Sequence, residues 1–256
     1  MKKNRKKIII GMLSVLGILL LAFGLYVVNM LGYFNSGNSS QYSLESVETI
    51  SDSPLKDKHL IFLGSSVTAG MQSKGISFID FMAERDGFTF TKEAVSGTTL
   101  VDNNDKSYIQ RLQTINDQKA DLFICQLSTN DAQKELSMGE ISESKKIEDF
   151  DKTTIIGAME YIIAYSQEKW NVPIMFYTGT EFDNEQYPLM IDVLYELQEK
   201  WGIGVINLWE ELPVDAVDAK TYKEYMNDPI HPTRRGYMEW WMPQIEKDMI
   251  SFLETH

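Results

Sequence analysis

The chain has 256 residues and carries 37 acidic against 24 basic side chains, a net charge of −13. That balance argues against a nucleic-acid binder, whose affinity rests on neutralising phosphates, and against tight docking on anionic lipid headgroups. A lone cysteine, Cys125, excludes an intramolecular disulfide. Three scattered histidines add no ligand cluster, so neither a metal nor another cofactor is expected.

Residues 1–7 form a basic segment with Lys2, Lys3, Arg5, Lys6 and Lys7, and residues 8–28 follow without a charge. That run is long enough to cross a bilayer as a helix. Cations on its amino side, and no acid before Glu45, predict a cytoplasmic N-terminus and an extracytoplasmic remainder. Ala22-Phe23-Gly24 offers a small-x-small cleavage site, but Leu25-Tyr26-Val27-Val28 prolongs the apolar run beyond it. The expectation is therefore a retained signal anchor that fixes the protein to the cell membrane in a single pass. Residues 29–53 are polar and serine-rich and read as a linker. Residues 54–256 amount to one domain. Without the five N-terminal cations, 19 basic residues face 37 acidic ones, or −18, most of which serves solubility.

Strand-like runs at 60–63, 88–94, 122–127, 174–177 and 205–208 alternate with helical patterns. Ile155, Met159, Ile162 and Ile163 share one helix face, as do Met190, Leu194, Leu197 and Trp201. A last pattern, Tyr237, Trp241, Ile245 and Met249, steps by four, and Pro243 should kink or restart it. The alternation predicts an α/β domain, a parallel sheet with helices on both sides. Cys125 lies inside the third run and reads as a buried, inert thiol.

The apolar run 60–63 ends in Gly64-Ser65-Ser66-Val67-Thr68-Ala69-Gly70, and Ser77 with Asp80 can form the capping box of the next helix. A hydroxyl at the carboxyl edge of a sheet, beside free backbone N–H groups, is a place for a nucleophile and part of an oxyanion hole. Functional residues of a parallel sheet gather at that edge. The loops there also hold Gly97, which lets backbone approach a ligand, and Asn130, an amide donor. The last of them is Asn227-Asp228-Pro229-Ile230-His231-Pro232. His59 starts the first strand, at the wrong end, and His256 is terminal, so His231 is the histidine able to act as a base beside Ser66. Asp228, three residues earlier, can hold the imidazole tautomer.

These blocks, in this order, resemble the SGNH (GDSL-type) hydrolases: the 64–70 turn, Gly97, Asn130-Asp131 and Asp228-Pro229-Ile230-His231-Pro232. The resemblance covers the whole extracytoplasmic domain. Ser65 stands where the family commonly has Asp, and Ser128 where it commonly has Gly. The resemblance implies a three-layer α/β/α fold with a five-stranded parallel sheet. It also implies ester hydrolysis with Ser66 as nucleophile, His231 as base and then acid, and Asp228 as its orienter. The Ser66 N–H, the Gly97 N–H and the Asn130 amide would form the oxyanion hole.

The expected function is that of a membrane-anchored serine esterase acting on acyl, chiefly O-acetyl, esters of envelope carbohydrate. Alternatives are an O-acyltransferase to a surface glycan, a lipid esterase or lysophospholipase, and a catalytically inactive glycan-binding module. Thr178-Gly179-Thr180 and Asn184-Glu185-Gln186-Tyr187 are candidates to line the substrate groove.

Overall fold

A computed structural model describes residues 2–255, with side chains from residue 11 onward; Met1, His256 and the side chains of the basic segment lie outside the described residues. Five strands, β1 (His59–Gly64), β2 (Thr89–Ala94), β3 (Leu122–Gln126), β4 (Ile174–Tyr177) and β5 (Gly204–Ile206), pair in parallel in the order β2-β1-β3-β4-β5. The helices are α1 (Lys2–Met30), α2 (Ser66–Ala69), α3 (Phe78–Asp86), α4 (Tyr108–Thr114), α5 (Thr129–Gln133), α6 (Ile155–Trp170), α7 (Gln186–Trp201), α8 (Leu208–Glu211), α9 (Ala219–Tyr225) and α10 (Met242–Leu253).

Side-chain alternation along the strands divides the core into two layers. Ile61, Leu63, Phe123 and Phe176 pack with α4, α6 and α7 on one face. Leu60, Phe62, Ile124 and Tyr177 pack with α3, α10 and the turn before it on the other. Because both faces are covered, β1 and β3 read as unbroken apolar runs. The sheet is the expected α/β/α sandwich. β5 is shorter than its apolar pattern predicts, because Asn207 ends the extended backbone and Leu208 opens α8. Ser77 and Asp80 form the capping box of α3, the Ser77 N–H donating to Asp80 at 2.7 Å. Near Pro243 the chain passes from a π turn, Gly236–Trp241, into α10.

Two polar stretches are more ordered than composition suggests. The acidic segment 135–151 is bolted to the body. Lys200 Nζ donates to the Ser142 and Ser144 carbonyls and pairs with the buried Glu160 at 2.5 Å, while the Ser142 N–H donates to Glu160 at 2.8 Å. The expected linker contains 3-10 turns at Ser36–Asn38 and Leu44–Ser46, and buries Gly37 and Asn38 against the domain. The amide groups of Asn35 and Asn38 find backbone partners there, which a linker in water does not offer. Within α1, Gly11–Met30 is long and apolar enough to cross a membrane, with a mean hydropathy of 2.4 and no part of it buried.

Candidate active site

The strand order reverses direction at β1, so the carboxyl ends of β1 and β3 border the crevice where open α/β sheets bind ligands. Ser66 is the first residue of α2, immediately after β1. Gly64 is needed for the turn, since a Cβ there would come within 1.7 Å of Thr68 Oγ1. Asn130 lies in α5 after β3, and Gly97 follows β2.

The structure brings Ser66, His231 and Asp228 together. Ser66 Oγ lies 2.8 Å from His231 Nε2, although 165 residues separate them in the chain. On the far side of the ring, His231 Nδ1 lies 2.9 Å from both carboxylate oxygens of Asp228. An ionised carboxylate only accepts, so Nδ1 carries the proton and Nε2 is left to accept from the serine hydroxyl. Burial works to raise the Asp228 carboxyl. Bonds from the His231 ring and from the Ile230 and His231 N–H groups outweigh it and hold the carboxyl at about 2. The turn carrying both residues is closed by the Asn227 N–H on the His231 carbonyl at 2.9 Å and by a bridge from Met226 to Pro232.

Asn130 and the Gly97 loop are also brought together: Asn130 Nδ2 donates to the Thr98 carbonyl at 2.9 Å. An amide nitrogen has two hydrogens, so one remains for a ligand. Gly97 has φ +79° with open space around its α-carbon, so the backbone angle, not crowding, calls for glycine. Asp131 is buried, and its carboxylate accepts from the Leu100 and Val101 N–H groups at 2.8 and 3.0 Å, fixing that loop; burial pushes its carboxyl up.

Three supporting residues escape the sequence reading. Gln126 Oε1, at the end of β3, accepts from the Ser65 N–H at 2.9 Å and the Thr68 hydroxyl at 2.7 Å. Arg111, buried, donates through Nη2 to the Gly64 carbonyl at 2.8 Å and to Thr98 Oγ1 at 3.1 Å, tying the Ser66 turn to the Gly97 loop. Gln72 Nε2 donates to Asp228 Oδ2 at 2.7 Å. A polar residue closing an otherwise apolar strand is the one signal that could have flagged Gln126.

Of the groove candidates, Asn184, Glu185 and Gln186 line a cavity of about 660 Å³ together with Glu135 and Leu136, next to the helix that carries Asn130. Tyr187 and Thr178 do not line it. Both are buried, the Tyr187 hydroxyl bonding the Gly179 N–H and the Leu127 carbonyl. Cys125 is buried, and burial pushes its thiol well above the ordinary range. His59 Nδ1 lies 2.9 Å from Thr89 Oγ1 and Nε2 3.0 Å from Thr91 Oγ1, at the opposite edge of the sheet. Among the described residues no cluster of His, Cys, Asp and Glu could hold a metal ion.

No curated protein matches the sequence. Several solved structures share the fold. A protein from Lactobacillus plantarum is 21% identical with a TM-score of 0.60, over 78% of this chain and 98% of that one. A protein described as a GDSL-like lipase from Bacteroides ovatus is 17% identical with a TM-score of 0.53, over 78% and 100%. A family two carbohydrate esterase from Clostridium thermocellum, in complex with cellohexaose, is 13% identical with a TM-score of 0.52, over 80% and 66%. Residues 62–238, which take in both the Ser66 turn and the Asp228–His231 turn, match the GDSL-like lipase/acylhydrolase family, and the chain belongs to it.

Proposed function

We propose that the protein is a serine esterase held at the cell membrane by α1, with Ser66 as nucleophile, His231 as general base and then acid, and Asp228 as the group that orients the imidazole. The observation that carries this reading is the 2.8 Å approach of Ser66 Oγ to His231 Nε2 with Asp228 behind the ring. Ser66 Oγ attacks the acyl carbonyl carbon as its proton passes to Nε2. The carbonyl π pair moves to oxygen and meets the Ser66 and Gly97 N–H groups and the free hydrogen of the Asn130 amide, each worth on the order of 3 kcal/mol in the transition state. Collapse breaks the ester C–O bond and the alcohol leaves with the Nε2 proton. Water, deprotonated at the same nitrogen, releases the acid and restores the serine.

The acyl group favoured is acetyl, on a hydroxyl-rich envelope glycan. The cavity against the end of α5 supports this, with Asn184, Gln186 and Glu135 offering the amide and carboxylate groups that sugar hydroxyls bond. The N-terminal cations and the absence of any acid before Glu45 support a cytoplasmic N-terminus and an extracytoplasmic domain. The domain division supported is 1–7, 8–28, 29–53 and 54–256, with 29–53 packed on the domain.

Acetate release from acetylated envelope polymers by the detergent-solubilised full chain tests the reading. The Ser66→Ala variant is expected to release none, and Asn130→Ala a small measurable amount. Normal acetate release by Ser66→Ala would remove the mechanism.

A further inference from the structure

The segment after α1 is docked at the edge of the sheet that bears the site. Asn38, almost wholly buried, donates through Nδ2 to the Gly32 and Gln72 carbonyls, both at 2.8 Å, and accepts at Oδ1 from the Arg234 N–H at 2.8 Å. Its own carbonyl accepts from Lys74 Nζ at 2.8 Å. Asn35 Nδ2 donates to the Lys223 carbonyl at 3.1 Å. Two glycines let the segment sit this close. A Cβ on Gly32 would come within 2.3 Å of the Gln72 carbonyl, and one on Gly37 within 1.8 Å of the Glu224 carbonyl. The end of α1 joins the same seat, because Asn227 Nδ2 donates to the Met30 carbonyl at 3.2 Å and also to Gln72 Oε1. Gln72 in turn donates to Asp228. An unbroken line of hydrogen bonds thus runs from the last residue of α1 through Asn227, Gln72, Asp228 and His231 to Ser66.

We infer that residues 31–42 form a collar that seats the Asp228–His231 side of the sheet at the bilayer surface, so that the site takes acyl esters displayed among the lipid headgroups. This inference rests on the anchored-hydrolase reading above. If residues 8–28 span the hydrocarbon, Met30 lies two residues, about 3 Å, beyond its end. The Asn227-Asp228 turn bonded to it is then at headgroup depth. The collar's surface suits that depth. Tyr33 and Phe34 are 52% and 63% exposed, where aromatic side chains gather at membrane interfaces, and Lys74 lies 5.6 Å from the Tyr33 ring centre. Residues 1–44 contain no acid, although the domain as a whole is strongly acidic, so the collar itself brings no carboxylate to the lipid. The substrate class implied is an O-acylated polyol carried on a lipid, within reach of a rim that cannot travel far from the membrane.

The full chain reconstituted in phosphatidylcholine vesicles containing a tenth of headgroup-nitroxide lipid tests this. Cys125 is buried, so a thiol-reactive fluorophore can be placed at Lys223→Cys beside the collar or at Lys119→Cys on the opposite edge of the sheet. The Lys223 label is expected to lose most of its emission and the Lys119 label almost none. Equal emission from the two, or stronger quenching at Lys119, overturns the seating. Gly37→Val, which drives a side chain into the Glu224 carbonyl, is expected to restore emission at position 223; undiminished quenching there overturns the collar's role. Hydrolysis is then compared between an acetylated glycolipid in the vesicles and the same acetylated sugar free in solution. Faster loss of the lipid-borne ester is expected, and equal rates overturn the substrate assignment. Quenching does not depend on turnover, so a rim at the membrane in a protein whose acetate release survives Ser66→Ala would fault the hydrolase reading and leave the seating intact.

Discussion

Gln126 contributes to the site without being able to touch a substrate in it. Its Oε1 is the acceptor for the Ser65 N–H and the Thr68 hydroxyl, both buried, at the point where β1 turns into α2. Replacing it with Leu keeps the volume, strands the Ser65 N–H at about 1–3 kcal/mol, and leaves the Thr68 hydroxyl with the Tyr177 hydroxyl, at 2.6 Å, as its partner. Gln126→Leu is therefore expected to lower stability by about 1–3 kcal/mol in a denaturant titration and to lower kcat as the Ser66 turn loosens. Gln126→Glu keeps an acceptor and should recover part of both; a Leu variant as stable and active as wild type would show that the turn holds itself. The contrast with Ser66, His231 and Asp228 explains what a sequence can show at this scale. Those three were legible because their chemistry is rare: of three histidines, one starts the first strand and one is terminal, which leaves His231, with an acid three residues before it. Gln126, Gln72 and Arg111 were not, because an amide or a guanidinium is ordinary in any chain and each acquires its meaning only from a partner that folding brings near.

Two glycines in the loops of the sheet edge do different work, and substitution separates them. Gly64, the last residue of β1, has ordinary backbone but no room, with Thr68 Oγ1 at 1.7 Å and Gln126 Oε1 at 2.9 Å from a Cβ. Gly97 has room but φ +79°, so alanine costs only the left-handed penalty of about 1–2 kcal/mol. Gly97→Ala should fold with a small drop in melting temperature and a disproportionate fall in kcat, because any relaxation of φ turns the N–H proposed to meet the oxyanion. Gly64→Ala should lose far more stability, since both crowding atoms belong to the buried network around Gln126. A Gly97→Ala protein with unchanged kcat would take that N–H out of the mechanism. At the level of elements β1, β3 and β4 were readable, since burial on both faces leaves a short apolar run. The docking of residues 29–53 is not legible in composition because their partners are backbone carbonyls: Asn38 bonds those of Gly32 and Gln72, and composition is blind to backbone.

At the scale of the molecule, the excess of acid leaves one carboxylate in an expensive place. Asp86 ends α3 under the stretch that leads from the collar to β1, where the Ile50 N–H donates to the Arg85 carbonyl at 2.7 Å. The Asp86 side chain is wholly buried, and its carboxylate oxygens make no hydrogen bond of good geometry among the described residues. Burial pushes its carboxyl up to about 6, with Ser53 opposing and the neighbouring Glu246 adding to the rise. A carboxyl raised in the folded state favours folding fully below the ordinary carboxylate value and loses that contribution as pH climbs through about 6. The gap between about 6 and the ordinary value corresponds to roughly 3 kcal/mol that the native state forgoes at pH 8 relative to pH 4. Asp86→Asn has the same shape and nothing to ionise. Its melting temperature should exceed that of wild type by several degrees at pH 8, and the two curves should converge at pH 4. Parallel curves at both pH values would mean that the Asp86 charge is compensated in the folded protein, and that the melting profile takes its pH dependence from the surface acids instead.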